Sequence, residues 1–296
     1  MFHYDMSFNV LGIGEILWDL LPAGKQLGGA PANFAFHARA LGARSCVISR
    51  VGQDPLGMEI LQRLQALGLP IAEIQVDPAA PTGTVSVELS ADGQPRFTIH
   101  EDVAWDRLAL EKGALAAVAK ADAVSFGTLG QRREPARNTI QSLLAAASPG
   151  ALRILDVNLR QQYFSRDIIE ASLRAANIVK FNDSELPVLA ELLGLRGSVR
   201  QQIEQLAREH AQRVVCLTRG AQGSVLYSEG QWAEDHGQPV AVKDTVGAGD
   251  AFTAALAVAV LAGTPLDAIN RRANQVARYV CSCEGATPQL PEFPDA

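Results

Sequence analysis

Apolar residues in this chain fall into short unbroken runs, at 10–13, 46–51, 123–126, 154–157, 178–181 and 214–217, and longer stretches of helical periodicity separate them. Unbroken apolar runs suit strands that are covered on both faces. Their alternation with helical patterns predicts an α/β fold, a mainly parallel sheet with helices on both faces. Two helices announce their ends. One runs over 31–41, with Pro31 in its first turn and Gly42 closing it, and the other is an apolar run over 251–262 that follows a pair of glycines. One segment breaks the rhythm. Residues 84–89 and 96–101 alternate as strands do, around a turn that contains Asp92-Gly93. A hairpin of this kind cannot belong to the strand–helix–strand wrap and is expected as a flap outside it.

Composition narrows the reading without changing it. The chain has 296 residues, enough for one large α/β core. A formal charge of −6 argues against a nucleic-acid surface, where a basic patch is expected. Any anionic substrate must then be held locally. Cys46, Cys216, Cys281 and Cys283 form no C-x-x-C pair, and the five histidines show no zinc spacing, so a reduced, cytoplasmic protein is expected. No apolar run is long enough to span a membrane, and residues 1–8 lack the features of a signal peptide, whether the natural start is Met1 or Met6.

The candidate chemistry gathers where glycines meet helix starts. In Asp244-Thr245-Val246-Gly247-Ala248-Gly249-Asp250, the glycines let a ligand approach the backbone, and the first amides of the following helix suit a phosphate or an oxyanion. Asp250 opposes an anion there, so it either caps the helix or accepts a proton from an attacking hydroxyl. Gly28-Gly29-Ala30-Pro31-Ala32-Asn33 places an amide side chain at the start of the 31–41 helix, where it suits a polyol or merely lines a strand-to-helix loop. Asp19 reads as a turn residue before Pro22. Asn158 and Arg160 follow the strand at 154–157, at the sheet end where open α/β sheets bind ligands. Arg160 either steers a substrate or makes a surface ion pair. Glu185 in a helix's first turn favours the dipole in any case, and Thr218-Arg219-Gly220-Ala221-Gln222-Gly223 reads equally as a glycine-rich hairpin turn. Other nucleotide motifs are absent: Gly24-Lys25 is no P-loop, Leu17 ends the pattern begun by Gly12 and Gly14, and no protein-kinase set occurs.

In this order along the chain, from Gly14 to Pro288, these elements resemble the ribokinase (PfkB) family of carbohydrate kinases. The resemblance rests on G-E-x-x-x-D at Gly14, G-G-A-P-A-N at Gly28, D-x-N-x-R at Asp156, N-x-x-E at Asn182, T-x-G-x-x-G at Thr218, D-T-V-G-A-G-D-x-F at Asp244 and G-A-x-P at Gly285. It implies one ribokinase-like domain over 1–296, with a β lid formed by about 15–27 and 83–102. It implies Asp250 as the catalytic base and the amides of Gly247, Ala248 and Gly249 as the anion hole. The sugar falls to Asp19 with support from Glu15, and to Gly28, Gly29, Asn33, Asn158 and Arg160. Asn182 and Glu185 would organise Mg²⁺ and phosphates through water. Thr218, Gly220, Gly223 and Asn274 would flank ATP. Asp244, Val246 and Ala286 would hold K⁺, and the lid would make a homodimer. Ala30-Pro31 stands where ribokinases carry Lys-Gly and is similar to the fructokinase form, which implies fructose and the product fructose 6-phosphate. Ribose, 2-keto-3-deoxygluconate or a nucleoside are the alternatives within the family, and a catalytically silent sugar-binding regulator is the alternative outside it.

Overall fold

The computed structural model describes residues 8–21, 24–89 and 95–293. The turn at 90–94, Pro22 and the two candidate start methionines lie outside these residues. Apolar runs give the strands β1 (Asn9–Ile13), β2 (Leu17–Leu21), β3 (Gly24–Gly28), β4 (Arg44–Gly52), β5 (Ile74–Asp77), β6 (Gly83–Leu89), β7 (Pro95–Ile99), β8 (Ala123–Gly127), β9 (Leu152–Asp156), β10 (Ile178–Asn182), β11 (Val214–Thr218), β12 (Ser224–Ser228) and β13 (Gln231–Asp235). The helices are α1 (Ala30–Ala40), α2 (Pro55–Ala66), α3 (Lys112–Ala119), α4 (Glu134–Ala146), α5 (Arg166–Ala175), α6 (Glu185–Leu193), α7 (Val199–Glu209), α8 (Ala248–Leu261) and α9 (Leu266–Cys281).

Nine strands form the main sheet in the order β13-β12-β11-β10-β9-β8-β1-β4-β5. From β11 to β5 every neighbouring pair is parallel, as the unbroken apolar runs predict. The edge at β12 and β13 is antiparallel within a mainly parallel sheet, joined by the glycine-rich hairpin turn at 218–223. The reason is local, since the loop after β11 is too short to carry a crossover helix. Helices α3 to α7 pack one face around Phe126, Ile140, Leu155 and Phe181. The other face is covered by α1, α8 and α9 around Phe34, Phe252 and Val276. Helix α8 is apolar on nearly all sides and is correspondingly buried.

A separate four-stranded sheet has the order β3-β2-β6-β7. Its strands are insertions: β2 and β3 lie between β1 and α1, and β6 and β7 between β5 and α3. The alternating segments at 84–89 and 96–101 are β6 and β7, paired antiparallel. This sheet rests on a small cluster of Leu17, Val85, Ile99, Val103, Trp105 and Leu129. Below it, the Arg132 guanidinium is gripped by Asp106 at 2.7 and 2.8 Å. The same group sits 4.0 Å from the Trp105 ring centroid and 4.8 Å from that of Tyr163.

Candidate active site

Glycine brings the two motif loops together because no other residue fits. A Cβ on Gly12 would lie 2.2 Å from the Pro31 carbonyl oxygen, so α1 begins directly on β1. Gly29, at φ 113, caps α1 and passes so close to Glu15 that a Cβ would lie 2.6 Å from its carbonyl oxygen. One turn into α1, Asn33 Nδ2 donates to Asp250 Oδ2 at 2.8 Å. Gly247, at φ 77, caps α8, which puts Ala248, Gly249 and Asp250 in its first turn. Ala248 N donates to Thr245 O at 3.3 Å, and the other orphan amides of that turn point out of the helix start.

Asp250 is part-buried. Desolvation, then the charge of Asp156, raise its pKa to about 6, against the lowering influence of Asn33, Lys180 and Arg160. A carboxylate so placed accepts a proton more readily than an exposed aspartate. Under it, Asp156 and Asp250 both line a void of about 10 Å³, bounded by α1 and β8, roughly the space of one water. Asp156 accepts from Lys180 Nζ at 2.9 and 3.1 Å and from Thr253 Oγ1 at 2.9 Å. Burial alone would lower the pKa of Lys180; Asp156, with Asp250 and Glu185, outweighs it and raises it. The Lys180 ammonium lies 3.0 Å from where a Gly249 Cβ would be, so a buried cation sits directly beneath the anion-binding turn. Sequence reading missed Lys180 and the role of Asp156. The available signal was a lysine inside the otherwise apolar strand Ile178-Val179-Lys180-Phe181, since a lysine is rarely fully buried without a partner.

The sugar-side residues converge on the same place. Arg160 is close enough to lower the pKa values of Glu15, Asp19 and Asp250 alike. Asp19, on β2, covers Gly28 so closely that a Cβ there would lie 2.5 Å from its Oδ2. Its pKa is raised by burial, against Arg160. Glu15 is buried with Oε2 unpartnered, and desolvation raises its pKa to about 7. Asn158 turns the chain with φ 45, beyond the C-terminal end of β9.

At the neighbouring strand ends, Glu185 is a brace. Its Oε1 accepts from Leu159 N at 2.7 Å and its Oε2 from Asn182 N at 2.8 Å. Burial, then Asp156, raise its pKa. The Asn182 amide oxygen accepts from Ser184 N and Glu185 N, which starts α6. Thr218 is paired beside Asn182 in the β10–β11 ladder. The loop after it is a hairpin turn in this structure. Gly223 is required there because a Cβ would lie 2.1 Å from the Asp235 carbonyl oxygen, and Gly220 takes φ 54.

Asn274 Nδ2 donates to Ser224 Oγ at 2.7 Å and to Asn270 O at 2.9 Å, because Asn270 lies one turn away on α9. The Ala286 carbonyl oxygen lies against the Gly247 turn, where a Gly247 Cβ would come within 2.5 Å of it. That oxygen faces the buried His37, 2.9 Å from Nε2. Asp244 remains at the loop, where its oxygens accept from Val246 N at 3.0 Å and Gly285 N at 3.1 Å.

A helix start with orphan amides, a raised-pKa carboxylate in its first turn, and Asp19, Asn33 and Arg160 gathered around that carboxylate are the equipment of a small-molecule phosphotransferase. The chain belongs to the pfkB family of carbohydrate kinases, whose family model matches residues 22–292. It is similar to a fructokinase of Escherichia coli, 30% identical over 97% of this chain and 97% of that protein. The solved structure of an uncharacterized sugar kinase from Pyrococcus horikoshii in complex with ATP superimposes with a TM-score of 0.80, at 30% identity and 94% coverage of each chain. A fructokinase from Vibrio cholerae, solved in a form with fructose, ADP and calcium ion bound, gives 0.78 at 25% identity over 97% of this chain and 96% of that one.

Proposed function

We propose that this protein is a cytoplasmic fructokinase that transfers the γ-phosphoryl group of ATP to the primary hydroxyl of fructose, giving fructose 6-phosphate and ADP. The observation that carries the reading is the contact between Asn33 and Asp250. It joins the polyol loop to the helix start, so a sugar and a phosphate would meet at one carboxylate. Fructose in particular is supported by Ala30-Pro31 in the glycine loop and by relatives named fructokinase.

In this reading Asp19, Gly28, Gly29, Asn33 and Arg160 orient the sugar, with Glu15 and Asn158 supporting them. Asp250 Oδ takes the proton of the hydroxyl as its oxygen bonds to the γ-phosphorus and the bond to the ADP oxygen breaks. The amides of Gly247, Ala248 and Gly249 hold the phosphoryl oxygens, and Lys180 supports that turn from below. Among the described residues no three His, Cys, Asp or Glu side chains are grouped to hold a metal. Mg²⁺ bound with ATP would keep waters and phosphate oxygens as ligands and neutralise phosphate charge, with Glu185 and Asn182 ordering its waters. ATP would lie along Thr218, Gly220, Gly223 and Asn274. Asp244 and the carbonyls of Val246 and Ala286 are the candidates for K⁺. The small sheet serves as a lid that excludes water from the single domain, and its outer strands would pair two chains.

The test is ADP release with Mg²⁺-ATP and fructose, ribose, 2-keto-3-deoxygluconate, adenosine and inosine, with and without K⁺. Fructose should be preferred, and Asp250→Asn should cost about 10²- to 10⁴-fold in turnover. Preference for another sugar would overturn the substrate; fructose binding without ADP release would leave a sugar-binding regulator.

A further inference from the structure

Asn33 and His37 sit one turn apart on α1, and their side chains reach the two halves of the phosphate site. Asn33 meets Asp250, the last residue of the anion-binding turn. His37 meets the Ala286 carbonyl at 2.9 Å. Ala286 in turn backs Gly247, the first residue of that turn: a Gly247 Cβ would lie 2.5 Å from the Ala286 oxygen and 2.8 Å from its Cα. The Gly285–Ala286 loop is tied to Asp244 from its other side.

We infer that His37 is a positioning residue for phosphoryl transfer, whose Nε2–H holds the Ala286 carbonyl and through it the Gly247 end of the anion hole. The ring's chemistry leaves one arrangement. His37 is fully buried, and Nδ1 has no partner. A proton on Nδ1 would be an unsatisfied buried donor and would leave the lone pair of Nε2 facing the carbonyl oxygen, so the proton belongs on Nε2. Phe36 packs edge-on against the ring at 5.1 Å between centroids. Helix α1 therefore clamps the anion hole at both ends, with Asn33 on the base and His37 on the cap. A side chain lacking a donor at 37 would free the Ala286 carbonyl and loosen Gly247 while leaving the sugar contacts in place.

This inference rests on the kinase reading, and direct nucleotide binding separates the two. Calorimetry of Mg²⁺-ADP and of fructose, with steady-state kinetics, is compared for wild type, His37→Leu and His37→Gln. The amide introduced by His37→Gln can donate to the same carbonyl. The expected pattern is an ADP dissociation constant raised and kcat lowered by about tenfold each in His37→Leu. Fructose affinity should stay within about twofold, and His37→Gln should recover most of the loss. A folded His37→Leu with wild-type ADP affinity and kcat overturns the inference. So does a fructose affinity that falls as steeply as the ADP affinity, which would mean general loosening. Nitrogen NMR of the wild-type imidazoles needs no variant to fold: a proton on Nε2 of His37 is expected, and one on Nδ1 overturns the proposal. Wild type that binds no nucleotide removes the kinase reading itself.

Discussion

On the phosphate side, the first turn of α8 is fixed from three directions by buried groups: the Lys180–Asp156–Thr253 network below, α1 beside it, and the Gly285–Ala286 loop behind. On the sugar side, Asp19 stands on a four-stranded sheet whose strand β2 packs Trp18 into the core of β4 and α2, while β6 and β7 meet the body through a small apolar cluster and a row of polar tethers. Gln161 Nε2 donates to Phe97 O at 2.8 Å, Tyr163 OH to Ile99 O at 3.3 Å, and Arg132 Nη2 to His100 O at 2.6 Å. Charge stabilisation needs donors that do not move when charge develops, and a packed core supplies them. Admitting and enclosing a sugar needs a part that can shift, and elements with few buried contacts open at low cost. The tethers from Gln161 and Tyr163 spring from the same 158–163 segment whose Leu159 amide is held by Glu185, so that segment touches both halves.

The sharpest way to break this contrast is Lys180→Met. It leaves Asp156 buried without its cation, which should cost about 3–5 kcal/mol of stability and lower kcat, as read by thermal unfolding and turnover. The double variant Lys180→Met with Asp156→Asn removes both charges and should regain stability while kcat stays low. Recovery of kcat would show that Lys180 only neutralises Asp156.

Acidity tests the same side with a smaller effect. With the Asp250 pKa raised to about 6, the base is ionised above that pH, so kcat/KM for the sugar should fall about tenfold per unit below it. Stability runs the other way. A carboxyl whose folded pKa exceeds its unfolded 3.8 is destabilising once ionised, so stability is lost as pH rises from about 3.8 through 6. Asp250→Asn should then unfold at a higher temperature than wild type at pH 7. An unchanged Tm would mean that the carboxylate is well solvated.

Tyr163→Phe probes the other side and should have the smallest effect. Losing its hydroxyl removes the bonds to Ile99 O and to Glu101 Oε1. The sugar KM should rise several-fold, about what one net hydrogen bond is worth, and the ATP KM should stay unchanged. Equal movement of both would show that the halves are mechanically one.

Much of this architecture can be read along the chain. The apolar runs at 10–13 and 178–181 are the cores of β1 and β10, and Pro31 with Gly42 brackets α1 to within a residue. The hairpin turn at 218–223 is legible from its glycines, but the strands β12 and β13 are not, because they carry polar residues that blur the pattern. Asn274 and Ala286 carried roles by position along the chain, and their partners, Ser224, Asn270 and His37, lie far from them in sequence or across a helix turn.

The sequence by itself determined which backbone segments bind anions, because glycine spacing and helix starts are local: Gly247 and Gly249 prescribe a bare amide turn wherever it is placed. It also determined a parallel sheet, because strands covered on both faces must be apolar throughout. Tertiary structure alone decided the electrostatics. Whether a buried lysine such as Lys180 is a liability or a support depends on Asp156 standing 2.9 Å away on the next strand. Whether His37 is core filling or a clamp depends on Ala286, which the fold brings from 249 residues along the chain. Such pairings are set by strand order and helix packing, and nothing in the local run of residues encodes their distance.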